Sequence, residues 1–133
     1  MKYCADTWFI LSAFGNESKA ISIINDARHG KARIVVPVVA YAEAIKKLMQ
    51  KGISYQAIYD FFSSLEVTQK IEIINANKSI AEEAAKVSLT YSVPLIDSFV
   101  AATYKLTECD IFLSPDSDYS LLIKKKYLKN QSW

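Results

Sequence analysis

The sequence predicts an α/β fold of three layers, with helices on both faces of a mostly parallel central sheet of four to five strands. Short, uniformly apolar segments alternate along the chain with longer segments whose apolar residues recur at helical spacing. That alternation requires crossover connections, which make neighbouring strands parallel. The chain has 133 residues, only three glycines and three prolines, and no biased tract, so we expect a single domain over residues 1–133.

The first half of the chain predicts two strands and four helices. KYCA (2–5) is the first strand, and helical spacing then continues to Gly30 with a break at Gly15. ARIVV (32–36) is the second strand, of the kind covered on both faces. The third helix has Pro37 in its first turn and ends at Gly52. Its predicted apolar side comprises Val38, Ala42, Ile45 and Met49. The fourth helix is SYQAIYDFFSSL (54–65), with Ser54 as N-cap.

The second half repeats the alternation. EIINA (72–76) is the third strand, and KSIAEEAAKVSLTYS (78–92) is an amphipathic helix. The next helix, LIDSFVAATYKL (95–106), is apolar nearly all round, which predicts burial. DIFLS (110–114) is the fourth strand, followed by a short helix over about residues 119–126. The last residues are expected to supply an edge strand.

Charge and composition exclude several classes of protein. The net charge is +2, so the total gives no sign of a polyanionic partner. An acidic residue precedes the first apolar run, unlike a secretory signal, and the longest apolar run (34–42) is far short of the ~20 residues of a membrane span. We therefore expect a cytoplasmic protein without a membrane segment. Cys4 and Cys109 are expected as reduced thiols, with a disulfide between them as the alternative.

A local basic cluster lies near the C-terminus and consists of Lys124, Lys125, Lys126 and Lys129. Such a cluster is either a solvated helix face or a surface that RNA or a protein partner approaches.

Acidic residues lie close to the ends of the predicted strands. Asp6 directly follows the first strand, and Asp116 and Asp118 follow the fourth. Glu43 lies in the second turn of the helix after strand two, and Asp97 in the first turn of the helix before strand four. Sites in parallel sheets lie at the carboxyl ends of the strands. If strands one, two and four are neighbours, these acids converge on one crevice.

Each acid also has a purely structural interpretation. Asp6 is placed to cap the following helix, and Asp97 to stabilise the dipole of its own helix. Glu43 is placed to pair with Lys47 at i,i+4. The two acids after strand four are placed to act as turn or cap residues. None of the five is specific when considered alone.

Considered together, the acids indicate a metal site. Carboxylates crowded in a crevice raise one another's pKa unless a cation keeps them ionised, and the sequence offers no cationic partner for all of them. Oxygen-only ligation suits Mg²⁺ or Mn²⁺. Other chemistries find little support, since one histidine, two cysteines and three glycines provide neither a catalytic triad, a zinc site nor a phosphate-binding loop.

Four motifs occur in this order: CADTWFILSAF, VPVVAYAEAIKKL, SVPLIDSFVAATYKL and IFLSPDSDYSLL. Through them the chain resembles a PIN domain, the metal-dependent nuclease fold of VapC-type toxins, over essentially its whole length. The resemblance implies that Asp6, Glu43, Asp97 and Asp116 surround Mg²⁺ or Mn²⁺, with Asp118 auxiliary.

Three further positions bear on the resemblance. Thr7 and Ser114 match positions where the family has a hydroxyl, which implies that they support the acidic residues. Trp8 departs from the pattern, since the family often has a small polar residue there.

The implied function is a metal-dependent endoribonuclease, the toxin of a VapBC-type pair, dimeric and held inactive by a protein antitoxin. The alternatives are a PIN-like RNA-processing nuclease outside such a pair and a catalytically silent module that binds RNA or protein. A phosphoacceptor domain is disfavoured, because the third strand ends in IINAN without an aspartate. A set of aromatic residues is expected either at the partner surface or in the core: Tyr41, Tyr55, Tyr59, Phe61 and Phe62.

Overall fold

The computed structural model describes residues 1–131 and residue 133. Its strands are β1 (Lys2–Ala5), β2 (Arg33–Pro37), β3 (Ile71–Ile74) and β4 (Ile111–Leu113). Its helices are α1 (Thr7–Phe14), α2 (Ser18–Arg28), α3 (Val38–Gln50), α4 (Tyr55–Glu66), α5 (Lys78–Tyr91), α6 (Leu95–Leu106) and α7 (Ser120–Lys124). A short 3-10 helix, Ser117–Tyr119, precedes α7.

The four strands form a parallel sheet in the order β3-β2-β1-β4. This order confirms the α/β fold class and places β1 between β2 and β4. In the register of the sheet, Cys4 lies beside Val35 on one side, and Ala5 lies beside Leu113 on the other. The carboxyl ends of β1, β2 and β4 therefore meet at one edge of the sheet, where Asp6 and Ser114 follow their strands directly.

The central strands are buried on both faces, which explains their uninterrupted apolar sequence. Ile34, Val35 and Val36 are each at most 4% exposed, and all three residues of β4 are buried. Side chains that point to opposite faces of the sheet must both be apolar when helices cover both faces. The apolar run of β2 is therefore the sequence of a strand that helices cover on both sides.

Local signals set the ends of several helices. The Ser54 hydroxyl accepts a hydrogen bond from the Ala57 backbone N–H at 3.2 Å, as an N-cap should. Gly30 and Gly52 follow α2 and α3 with φ of +74° and +83°, in the left-handed region that glycine enters without steric cost. Both glycines therefore end their helices as the sequence predicted.

The third helix buries a different face from the predicted one. Its buried residues are Ala40, Ala44 and Leu48, whereas Met49 is 51% exposed and Ala42 is also exposed. Val38 and Ile45, on the predicted side, are partly buried. Two of the three buried residues are alanines, whose small side chains allow a close approach of neighbouring elements. Pro37 is also placed differently, as the last residue of β2 and not in the first turn of the helix.

The C-terminal residues and the sixth helix differ from their predicted structure. The described C-terminal residues form no edge strand: Asn130 makes a single bridge with Phe112, and Ser132 lies outside the described residues. The sixth helix is buried through its middle, but Leu95 and Ile96 are each 52% exposed at its start. Apolar residues on every side of this helix therefore do not mean that its whole length is covered.

The remaining sequence predictions concern single groups and membrane spans. Cys4 and Cys109 are both free cysteines, so the disulfide alternative is wrong for this structure. His29 is exposed at the end of α2, where its Nδ1 lies 2.7 Å from the Asn25 carbonyl oxygen. The lysines of the basic cluster are exposed. Within the part of the chain that the structure describes, no helix has the length and apolar character to cross a bilayer.

Candidate active site

Asp6 occupies the junction between β1 and α1. Its backbone N–H donates to the Leu113 carbonyl oxygen at 3.2 Å, which extends the β1–β4 pairing past the last strand residue. Asp6 stands at the N-cap position of α1, but its side chain makes no capping hydrogen bond. Only 4% of the residue is exposed. The Asp6 carboxylate therefore does not cap α1, although the sequence allows that role.

Ser114 connects two of the acids. Its Oγ donates to Asp6 Oδ2 at 2.6 Å and accepts from the Asp116 backbone N–H at 3.0 Å. The connection follows from the sheet register, because the pairing of Ala5 with Leu113 brings the next residue of each strand together. The seryl hydroxyl thus fixes the orientation of the Asp6 carboxylate and the course of the chain into Asp116.

Asp116 and Asp118 differ in their surroundings. Asp116 Oδ1 accepts from the Asp118 backbone N–H at 2.9 Å and caps the 3-10 helix. The sequence allowed Asp118 to be either a ligand or a helix cap, and the capping side chain in the structure is that of Asp116. The Asp118 side chain is exposed. Asp116 still has its second carboxylate oxygen for other contacts, since the cap occupies only Oδ1.

Asp97 faces the same region from the first turn of α6. The Tyr119 hydroxyl donates to Asp97 Oδ1 at 3.4 Å, a long hydrogen bond. Tyr119 itself is 1% exposed and packs edge-on against Phe112 with ring centroids 4.7 Å apart. Burial raises the pKa of Tyr119 far above its ordinary value, and the charges of Asp6, Asp97 and Asp116 add to the rise. This hydroxyl therefore keeps its proton.

Glu43 is a half-buried residue of α3. The i,i+4 ion pair with Lys47 is not formed: the ion pairs among residues 1–131 and 133 are Lys78–Glu82 and Lys105–Glu83. The Lys47 ammonium lies instead over the indole ring of Trp8, 5.3 Å from its centroid. The charge of Glu43 adds a small contribution to the raised pKa of Asp6.

The pKa values of two carboxyls show that the acids share one electrostatic environment. Burial raises the pKa of Asp6 to about 6; hydrogen bonds from Ser114 and the Thr7 backbone N–H oppose the rise, and the charges of Asp116 and Glu43 add to it. The pKa of Asp97 is also raised to about 6. Burial is the largest cause, and the charges of Asp118, Asp116 and Asp6 add to it, whereas the hydrogen bond from the Tyr119 hydroxyl lowers it. These shifts link all five predicted acids.

The donor set fits a hard divalent cation. Ionised carboxylates offer only acceptor oxygens, and their mutual repulsion here is relieved by no Lys or Arg ion pair within the described residues. Among those same residues, no three Asp, Glu, His or Cys side chains stand close enough together to enclose an ion by themselves. Mg²⁺ commonly retains several waters and binds through one or two carboxylates, so an open arrangement suits it.

Two residues at the crevice were not predicted as functional. Tyr119 was expected only near the start of a helix, yet its hydroxyl contacts Asp97; the one available signal was an aromatic residue after the acidic turn. The sequence indicates Lys47 only as an ion-pair partner of Glu43, yet in the structure it lies over Trp8. Thr7 is buried, and its backbone N–H lowers the pKa of the Asp6 carboxyl; the supporting role of its hydroxyl stays a prediction.

The fold and the crevice together define an α/β domain with an acidic cluster at the carboxyl edge of its parallel sheet. The family model described as the PIN domain matches residues 3–125. The chain therefore belongs to the PIN domain family. No curated protein matched the sequence.

Solved structures with the same fold come from several bacteria. VapBC2 from Rickettsia felis, bound to a promoter DNA fragment, superposes with a TM-score of 0.74 at 14% identity, covering 100% of this chain and 99% of that one. VapBC-1 from nontypeable Haemophilus influenzae gives 0.69 at 21% identity, with coverages of 100% and 98%. Mycobacterium tuberculosis VapC20, described as a Sarcin-Ricin loop cleaving toxin, gives 0.67 at 11% identity, with coverages of 89% and 92%.

Proposed function

We propose that this protein is a metal-dependent endoribonuclease that cleaves RNA phosphodiesters at the acidic crevice. PIN domains are nucleases as a class, which supports hydrolysis of a phosphodiester. The observation that carries the proposal is the convergence of the acids at the edge shared by β1, β2 and β4, where the pKa of Asp6 is raised to about 6 partly by Asp116 and Glu43. An acidic cluster without a basic partner repels a polyanion, so it requires a cation to act on RNA.

The acidic residues divide into holding and positioning roles in this proposal. Asp6, Asp97 and Asp116 would hold Mg²⁺ or Mn²⁺, some of them directly and the others through waters that the ion retains, and Glu43 would bind through a water or orient one. Asp118, which is exposed beside them, would assist at a second cation. When bound, such an ion supplies a Lewis acid for the phosphoryl oxygens and lowers the pKa of a bound water.

Other residues keep the ligands ready for the cation. Ser114 holds Asp6 Oδ2 and the Asp116 backbone in one network, so neither must be reoriented. Tyr119 keeps its proton near neutral pH and donates to Asp97, which stabilises the charged carboxylate. The Thr7 backbone N–H lowers the pKa of Asp6 and so favours its charged form.

We also propose a protein antitoxin as partner. The aromatic set on α3 and α4 divides: Phe62 is 4% exposed, whereas Tyr55 and Tyr59 are 60% and 54% exposed. Their rings stack with centroids 6.4 Å apart. Tyrosines exposed in this way are common at protein interfaces. The toxin descriptions of the compared proteins support this partner, and a homodimer is proposed on the same family grounds.

Cleavage of RNA tests the proposed activity. Purified protein is incubated with a mixed-sequence RNA in Mn²⁺ or Mg²⁺, and the products are separated by length. We expect internal cleavage that chelation abolishes, and at least a hundredfold loss of rate in Asp6→Asn and Asp97→Asn, because each substitution removes a charged ligand. The matched control is Asp26→Asn, which changes an exposed aspartate on α2.

Two results contradict the proposal. Cleavage that continues in excess chelator, or that survives Asp6→Asn unchanged, would separate the activity from the crevice. No cleavage by wild-type protein, together with intact RNA binding, would favour the catalytically silent module.

A further inference from the structure

Trp8 is an exposed aromatic residue beside the acidic crevice. It lies two positions after Asp6 and between two buried residues, Thr7 and Phe9, yet 41% of its own surface is exposed. Exposure of an indole costs hydrophobic free energy that burial would recover. Nothing in the packing of α1 requires a tryptophan here, because Phe9, Ile10 and Ala13 supply the buried face of the helix.

Lys47 lies over this ring from the neighbouring helix. Its ammonium is 5.3 Å from the centroid of the indole, within the range of a cation–π interaction. Lys47 is one helical turn beyond Glu43 on α3, so the two side chains leave the helix on adjacent parts of one face. Among residues 1–131 and 133, Lys47 forms no ion pair with a carboxylate. Its positive charge therefore remains available at the edge of a negative crevice.

The pair has the two components that bind single-stranded nucleic acid without reading its sequence. An aromatic ring provides a stacking surface for any base, and a nearby cation contacts a phosphate. Lys47 lies over the indole, yet 41% of the Trp8 surface remains open to solvent. Of the three aromatic residues of α1, Trp8 is the nearest in sequence to Asp6, and Phe9 is buried.

We infer that Trp8 and Lys47 form an RNA-binding subsite that stacks a base and contacts a phosphate next to the scissile bond. The inference rests on the proposed function, because it names how the substrate of that crevice is held. Trp8 and Lys47 are positioning residues here. They hold flanking nucleotides and touch none of the reacting atoms.

Binding of a labelled single-stranded RNA oligonucleotide tests the subsite directly. Affinity is measured by fluorescence anisotropy in chelator, which stops the proposed metal-dependent cleavage during the measurement. We expect Trp8→Leu to weaken binding roughly 5- to 100-fold and Trp8→Phe to retain most of it, because a phenyl ring still stacks. In Trp133→Phe, Trp8 is the one remaining tryptophan, and RNA should quench its fluorescence.

Salt dependence separates the two roles. We expect Lys47→Met to reduce the slope of log affinity against log salt by about 0.7, the value for one phosphate contact on a single strand, and Trp8→Leu to leave it unchanged. The matched controls are Leu89→Ala, at an apolar residue that is 86% exposed, and Lys19→Met, at an exposed lysine of α2. Both should bind as wild type, and thermal unfolding should show every variant folded.

The outcomes distinguish this inference from the proposed function. Wild-type RNA affinity in Trp8→Leu, or an unchanged salt slope in Lys47→Met, contradicts the subsite even when cleavage is normal. If those variants lose only the capture of a protein partner, the pair belongs to a protein interface and the inference fails. If wild-type protein cleaves no RNA but binds it in a manner that depends on Trp8, the subsite stands and the proposed activity falls.

Discussion

Ser114 shows how one small residue organises several larger ones. Its hydroxyl is both a donor to Asp6 and an acceptor from the Asp116 backbone, at 2.6 Å and 3.0 Å. The sequence indicated a hydroxyl at this position only through resemblance to a family. The bridge itself could not be predicted, because it depends on the pairing of β1 with β4, strands separated by most of the chain.

Removing this hydroxyl should impair the crevice without unfolding the protein. Ser114→Ala leaves Asp6 without its side-chain donor, which raises the pKa of that carboxyl further and frees it to rotate. We expect RNA cleavage to fall at least tenfold and stability to fall by about 1–2 kcal/mol. Ser114→Thr, which keeps the hydroxyl, should restore most of the activity. Full activity in the alanine variant would contradict the bridging role.

The raised pKa of Asp6 predicts how stability depends on pH in the absence of metal. Its folded pKa of about 6 lies above the unfolded value of 3.8, so the folded state binds the proton more tightly. The contribution of Asp6 to the free energy of unfolding is complete below its unfolded-state pKa. That contribution is lost as the pH rises through its folded-state pKa. A shift of this size corresponds to about 3 kcal/mol.

Asp6→Asn should remove the loss of stability at high pH, because an asparagine side chain does not ionise. In chelator, we expect the variant to be more stable than wild type at pH 8 and to lose this advantage at pH 4, where the wild-type carboxyl is protonated. Urea unfolding at the two pH values measures the difference, with Asp26→Asn as the exposed control. An advantage of equal size at both pH values would show that packing, and not ionisation, is responsible.

At the level of elements, the helices and strands were largely predictable because each is marked locally. Ser54 begins α4, Gly52 follows α3, and the apolar run of β2 indicates a strand covered on both faces. The buried face of α3 was not predictable from side-chain size, since Ala40 and Ala44 are buried while Met49 is not. Such a choice depends on how closely neighbouring elements approach.

The turn after β4 combines a structural and a proposed chemical role in Asp116. Asparagine also accepts a hydrogen bond at an N-cap but carries no charge, so Asp116→Asn should keep the 3-10 helix and lose metal affinity. Asp116→Ala should lose both, with an additional cost of about 1 kcal/mol. Thermal unfolding and cleavage rates measured together separate the effects. Equal stability of the two variants would contradict the capping role.

At the level of the whole molecule, the order of the strands brings the acids together. Asp6 and Asp116 are distant in sequence, and the order β3-β2-β1-β4 places the strands that precede them side by side. The sequence predicted convergence on condition that β1, β2 and β4 are neighbours, and that condition is met. Which acids contact which hydroxyls depended on side-chain packing. The Tyr119–Asp97 contact and the position of Lys47 over Trp8 therefore appeared only in the structure.

The proposed function depends above all on the binding of a divalent cation in this crevice. Calorimetric titration of Mn²⁺ at pH 7.5 tests it most directly, because binding is measured without any substrate. We predict one or two bound ions in wild-type protein, affinity weakened at least tenfold in Asp6→Asn, and no change in Asp26→Asn. Equal Mn²⁺ binding by wild type and Asp6→Asn, or no binding by either, would contradict the claim.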